Sequence, residues 1–297
     1  MSTPHEIPQR LKNDLADQPV VDNAARVKHF ANLGDVIAIM PALKRYYELT
    51  QRKTVLVQQI NQLAAYYPGA VHPTVDEKGN NVCMNKRGFD MIKPLIESQP
   101  YIQAMEVYDG QQIHLDFDVI RSKTFVNLPH GMIQSWVMFA FPDLAADLSK
   151  PCITIEGDCP PHILEQVKGK IIVNFTERYR NQLADYYFLK NYAPDLIFAG
   201  TENEHYLFCS KWGLTIPFLQ TNDFLEYAYA IKHARFFVGC QSFGWNLAEA
   251  MKTPRILEIC QYAQNCMPFV GEDSYGFFHQ VGLEYYFRTL YSKTLPK

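Results

Sequence analysis

Three short stretches in the second half of the chain carry residues that could hold an anionic ligand. The first is RFFVGCQSFGWNLAEAMKTPRI, residues 235–256. It reads as a buried strand ending at Gly239, a small polar turn at Cys240, Gln241, Ser242 and Gly244, and a helix from about Trp245. The free N–H groups of such a helix start form an anion site, and Gly244 leaves room for a phosphate. An ordinary turn with Ser242 as helix cap fits the same letters. The second is VNFTERYRN, residues 173–181, where a strand ends in Asn174, Thr176, Glu177, Arg178 and Arg180. Two arginines beyond a strand end can neutralise a diphosphate, or pair in solvent with Glu177 and Asp185. The third is GTENEH, residues 200–205, whose Thr201, Glu202 and Glu204 can accept ribose hydroxyls or cap a helix with acids in its first turn. All three follow strands, and an open α/β sheet binds ligands outside the carboxyl ends of its strands. One pocket for a nucleotide diphosphate therefore accounts for all three.

A competing chemistry is offered by DFD at Asp116–Asp118. On a strand, alternate residues share a face, so two carboxylates could hold one divalent metal. A hydrated strand face is the plainer reading. There is no P-loop, no Gly-x-Gly-x-x-Gly and no Gly-x-Ser-x-Gly, which argues against a P-loop enzyme, a dinucleotide oxidoreductase and a serine hydrolase.

The elements that must position these residues alternate. ARVKHFA reads as a strand, Val36–Thr50 as a helix with Pro41 in its first turns, and KTVLVQQ as a strand. GFDMIKPLIESQP reads as a helix interrupted by Pro94, AMEVYD and IHLDFDVI as short strands, and SWVMFAFPDL as a helix closed by Pro142. After the Pro-rich GDCPPH at 157–162 the pattern restarts: strand GKIIVNFT, helix NQLADYYFLKNYA, strand DLIFAGT, helix ENEHYLFCSKWG, helix DFLEYAYAIKHA, strand RFFVGCQ, helix SFGWNLAEAMKT and strand PRILEIC. Strands alternating with helices, twice over, predict two α/β domains with parallel sheets and a cleft between them. The first 24 residues are polar and without period.

The bulk properties agree. The 297 residues suffice for two domains. With 47% hydrophobic residues the chain can bury a substantial core. A formal charge of −3 argues against a general nucleic-acid or membrane-surface protein. No signal-peptide-like stretch opens the chain, and no apolar run approaches the roughly 20 residues of a membrane span; a cytoplasmic protein is expected, with peripheral membrane contact left open. Seven cysteines, an odd number without a Cys-x-x-Cys pair, predict free thiols rather than a disulfide framework or zinc ribbon.

Two stretches resemble a known family. LGDVIAIMPALKRYYE is similar to the N-terminal signature of the heptosyltransferase-like glycosyltransferases, family 9, and FVGCQSFGWNLAEAMKTPRI to their C-terminal signature. DFLEYAYAIKHARFFVG leads into the latter as expected, and the resemblance spans about residues 26–260. It implies a GT-B fold: two Rossmann-like domains facing each other across a cleft. The N-terminal, acceptor-side domain is expected over 1–165 and the nucleotide-sugar domain over 166–271, with a closing helix at about 272–297 returning to the first.

The activity implied is an inverting, metal-independent transfer of a hexosyl or heptosyl group from a nucleotide diphosphate sugar to a hydroxyl of a glycan, lipid-linked glycan or protein, with no cofactor. Asp35 is then the general base, with Gly34 and His130 on the acceptor side. Asn174, Thr176, Arg178, Arg180, Thr201, Glu202, Gln241, Ser242, Phe243, Gly244 and Asn246 are then donor-binding. Capping the helix that starts near Val36 also explains Asp35. The chain departs from the family at Gln241, where Asp is usual, and in the displaced glycine of QSFG. A non-catalytic nucleotide-sugar-binding relative and a two-domain nucleotide-sugar 2-epimerase are the alternatives.

Overall fold

The structure, a computed structural model, describes residues 24–64, 74–121, 133–261 and 271–295. The described chain divides into two compact units, one ending at Asp147 and one beginning at Leu148. The dividing point falls before the expected 165/166, because the helix Pro161–Val167 (α4) packs on a helix of the second unit.

The first unit is built on β1 (Ala24–Phe30), β2 (Lys53–Gln59), β3 (Ile102–Val107) and β4 (Leu115–Asp116), all parallel, in the order β3-β2-β1-β4. Its helices are α1 (Leu33–Thr50), α2 (Lys86–Glu97) and α3 (Ile133–Ala140). Helix α1 starts earlier than expected, since Asn32 rather than Asp35 occupies the cap position. Pro41 therefore lies well inside α1, and Pro94 inside α2 without ending it. Each proline removes one N–H from its helix, and α1 survives because Val36, Ile37, Ile39, Met40, Leu43 and Tyr46 are all buried. DFD does not lie on one strand: β4 ends at Asp116, and a 3-10 turn covers Phe117–Arg121. Asp118 accepts the Phe30 N–H at 2.7 Å and pairs with Lys28 at 2.6 Å.

The second unit carries β5 (Ile171–Asn174), β6 (Leu196–Phe198), β7 (Phe237–Cys240), β8 (Arg255–Glu258) and β9 (Ser274–Phe277), all parallel, in the order β6-β5-β7-β8-β9. Besides α4, its helices are α5 (Glu202–Trp212), α6 (Phe224–His233), α7 (Phe243–Met251) and α8 (Gln280–Lys293). The expected helix around 181–193 is instead a 3-10 helix, Tyr187–Asp195. Tyr186, Leu189 and Tyr192 recur every third residue, the 3-10 period, and pack on the same core. The closing helix also differs from expectation. Leu283, Phe287 and Leu290 of α8 are buried in the cluster that holds Ile171, Phe198 and Val238, so α8 belongs to the second unit's core. Among the described residues no helix is long and apolar enough to cross a membrane.

Candidate functional site

In the second unit the three turns after β5, β6 and β7 meet at Asn174. This residue ends β5, and its Nδ2 donates to Ala199 O, after β6, at 2.6 Å. Its Oδ1 accepts the Ser242 hydroxyl, after β7, at 2.5 Å. One buried amide thus ties together the carboxyl ends of three neighbouring strands. Ser242 also caps α7, accepting the Trp245 N–H at 3.4 Å. The N–H groups of Phe243 and Gly244, in the first turn, have no intrahelical acceptor by construction.

Gly244 is small for a reason internal to the protein. A Cβ there would sit 2.5 Å from the Tyr227 hydroxyl and 3.0 Å from Asn174 Oδ1. The glycine expected to admit a phosphate therefore serves first to seat α7 against β5 and α6. Phe243 packs at a tilt against Phe224, with ring centroids 4.3 Å apart. Gln241 is buried, and its Oε1 accepts the Cys260 N–H at 2.9 Å, fixing the turn to the end of β8. Asn246 donates to Ser242 O at 3.0 Å and braces the helix start from within.

The loop after β5 is held from below. Thr176 N–H points at Cys240 Sγ, 3.2 Å away; burial, with Glu258 adding, pushes that thiol up to about 11, so it stays protonated. Arg180, expected to face a diphosphate, has a different partner. Its Nε and Nη2 meet the two oxygens of Glu258 at 3.0 and 3.4 Å, while the Asn181 N–H and the Tyr186 hydroxyl donate to the same carboxylate. Burial works against the Arg180 charge, but Glu258 outweighs it and holds the pKa above the ordinary arginine value. Arg180 is thus neutralised and acts as an anchor for the loop. Arg178 keeps its guanidinium over the Tyr179 ring, 4.6 Å from the centroid.

After β6, Thr201 caps α5, and Glu204 turns back to accept both the Thr201 N–H (2.8 Å) and hydroxyl (2.9 Å). Burial raises the Glu204 pKa against these bonds, with Glu177 adding to the rise and Arg178 opposing it. Glu202 is exposed.

In the first unit, Asp35 occupies the third helical position of α1 and is almost fully buried. Its Oδ2 accepts the Asn32 N–H at 3.0 Å and its Oδ1 is ion-paired with Arg121. Gly34 precedes it in the same turn. The Arg121 guanidinium lies 5.5 Å from the centre of the Trp136 ring. His130 lies outside the described residues.

Sequence reasoning passed over four residues that matter here: Glu258, Arg121, Tyr227 and His29. The first three sit in segments that read as a strand end, a loop and a helix, with nothing local to mark them. His29, on β1, is fully buried with Nδ1 3.3 Å from Gln58 Oε1, opposite it on β2. Its Nε2 has no hydrogen-bond partner, and burial lowers its pKa to about 3. Among the described residues no group of three His, Cys, Asp or Glu side chains could hold a metal ion.

No family model matches the chain, and no curated protein matches it. Solved structures do. The chain is similar to the glycosyl transferase family 9 structure from Veillonella parvula DSM 2008, at 10% identity and a TM-score of 0.48, over 79% of this chain and 80% of that one. It is similar to ADP-heptose LPS heptosyltransferase II of E. coli, at 9% identity and a TM-score of 0.48, over 92% and 99%. It is also similar to E. coli heptosyltransferase WaaC with ADP-2-deoxy-2-fluoro heptose, at 11% identity and a TM-score of 0.43, over 91% and 99%.

Proposed function

We propose that the chain is a glycosyltransferase that takes a sugar from a nucleoside diphosphate donor bound to its second unit. The observation that carries this reading is the convergence of three separate turns on Asn174 at the carboxyl ends of β5, β6 and β7. That is where parallel α/β sheets hold nucleotides. The start of α7 offers N–H groups and the positive end of a helix dipole to the diphosphate. Arg178, on the loop after β5 that Arg180 and Glu258 anchor, is the arginine we assign to the diphosphate.

In the reaction, the acceptor oxygen bonds to the anomeric carbon as its proton passes to a base. The bond from that carbon to the diphosphate oxygen breaks, and the diphosphate leaves with the electron pair. Attack from the face opposite the leaving group inverts the centre. Helix N–H groups and arginine stabilise the leaving diphosphate, so no metal is required. Asp35 is the carboxylate we assign as base, and Arg121 orients it.

A second reading is favoured by the same ion pair. A carboxylate engaged by both Arg121 and the Asn32 N–H already has a structural use, which suits a nucleotide-sugar-binding protein without transfer activity. The test is a panel of nucleoside diphosphates and their sugars, read by calorimetry and by release of diphosphate with hydroxyl acceptors. Binding with transfer supports the enzyme, binding without transfer or donor hydrolysis supports the second reading, and no binding refutes both.

A further inference from the structure

The Tyr227 hydroxyl is a buried polar group with nothing to bond. Tyr227 lies in the first turns of α6, is 7% exposed, and its hydroxyl has no hydrogen-bond partner. A buried hydroxyl without a partner is destabilising, and phenylalanine would fill the same space without that cost. The hydroxyl is aimed at the start of α7: it would stand 2.5 Å from a Cβ on Gly244, the second helical residue. Asn174 Oδ1 faces the same point, but it already accepts the Ser242 hydroxyl. Burial, with Glu204 and Cys240 adding, keeps the phenol well above its usual pKa, so it stays a neutral O–H that can donate.

We propose that Tyr227 is a donor-binding residue, its hydroxyl donating to a phosphate oxygen of a nucleoside diphosphate seated on the first turn of α7. This rests on the reading of that turn as the donor site. The hydroxyl and the Phe243 and Gly244 N–H groups then converge on one anion, and the ligand satisfies the group that the protein leaves unpaired. A charge-assisted bond of this kind is stronger than a neutral one. It also orders the α6–α7 contact, which the Phe224 and Phe243 rings, 4.3 Å apart between centroids, join as well.

The experiment is Tyr227→Phe, which keeps the ring and removes only the hydroxyl. Calorimetry is run with ADP, GDP and UDP, and with the nucleoside of whichever binds best. The expected result is about a tenfold weaker nucleoside diphosphate, the scale of one charge-assisted bond, with nucleoside affinity unchanged and the ligand-free melting temperature equal or higher. Unchanged diphosphate affinity overturns the proposal, as does an equal loss for the nucleoside. A melting temperature several degrees lower would show that the hydroxyl has a structural partner, and also overturns it. If the unaltered protein binds none of the three, the donor-site reading itself falls.

Discussion

Arg180 and Glu258, 78 residues apart in sequence, meet at two points, Nε to Oε1 at 3.0 Å and Nη2 to Oε2 at 3.4 Å. The carboxylate is fully buried and also receives the Asn181 N–H and the Tyr186 hydroxyl. Removing its charge strands a guanidinium that is itself only 10% exposed. Glu258→Gln should therefore lower stability by about 3 kcal/mol or more, the cost of breaking a buried pair. Urea denaturation measures it. A loss below about 1 kcal/mol, the scale of an exposed pair, would show that the network does not hold the loop.

Gly244 should be intolerant of substitution even without ligand. Gly244→Ala puts a methyl group against the Tyr227 hydroxyl and Asn174 Oδ1. Overpacking of this kind costs about 1–3 kcal/mol. The cost should shrink in a Tyr227→Phe background, because the oxygen nearest the added methyl is gone. A double-mutant cycle on ligand-free melting should therefore show coupling of at least about 0.5 kcal/mol. Strict additivity would mean that the two residues do not touch.

Asp35→Asn separates base from scaffold. If Asp35 is the base, turnover should fall by about 10²-fold or more, with donor affinity kept. The amide also gives up the charge that pairs with Arg121. A stability loss of about 1–3 kcal/mol is therefore expected as well, the range for a lost charged hydrogen bond. Arg121→Met removes the ion pair while leaving the carboxylate present: it should lower stability, and it should lower turnover as well if Arg121 orients the base. Near-normal turnover in Asp35→Asn, with an acceptor that the unaltered protein uses, would remove Asp35 from the chemistry.

His29 should make the first unit acid-sensitive. Burial holds its folded pKa at about 3, below the ordinary imidazole value of about 6.5. Below pH 6.5 the unfolded chain takes up a proton that the folded chain refuses. The stability present above pH 6.5 is therefore lost as pH falls toward 3, with a slope approaching about 1.4 kcal/mol per pH unit from this residue. His29→Asn, which can still donate to Gln58, should flatten the stability curve between pH 6 and 4. An unchanged slope would show that the imidazole is solvated.

What the sequence determined by itself is the local grammar. Hydrophobic runs of strand length alternating with helical segments fixed two parallel α/β units. Ser242 and Thr201 marked helix starts, because a cap needs only a side chain and an N–H two or three residues on. The three turns after β5, β6 and β7 were legible as a group for the same reason: topology rules place such turns on one sheet edge. Tertiary structure alone decided which of the candidate side chains pair with one another. Arg180 could have met a phosphate, and nothing near it in sequence named Glu258. Gly244 read as space for a phosphate, and nothing near it in sequence showed that Tyr227, on the preceding helix, packs against its α-carbon. The placement of α8 followed the same logic, since its apolar stripe fits any exposed sheet face and only packing chose the second unit's. Charge pairing, orphaned hydroxyls and helix docking depend on atoms brought together by chain closure over tens of residues. Local propensity, which acts across about four residues, carries no record of them.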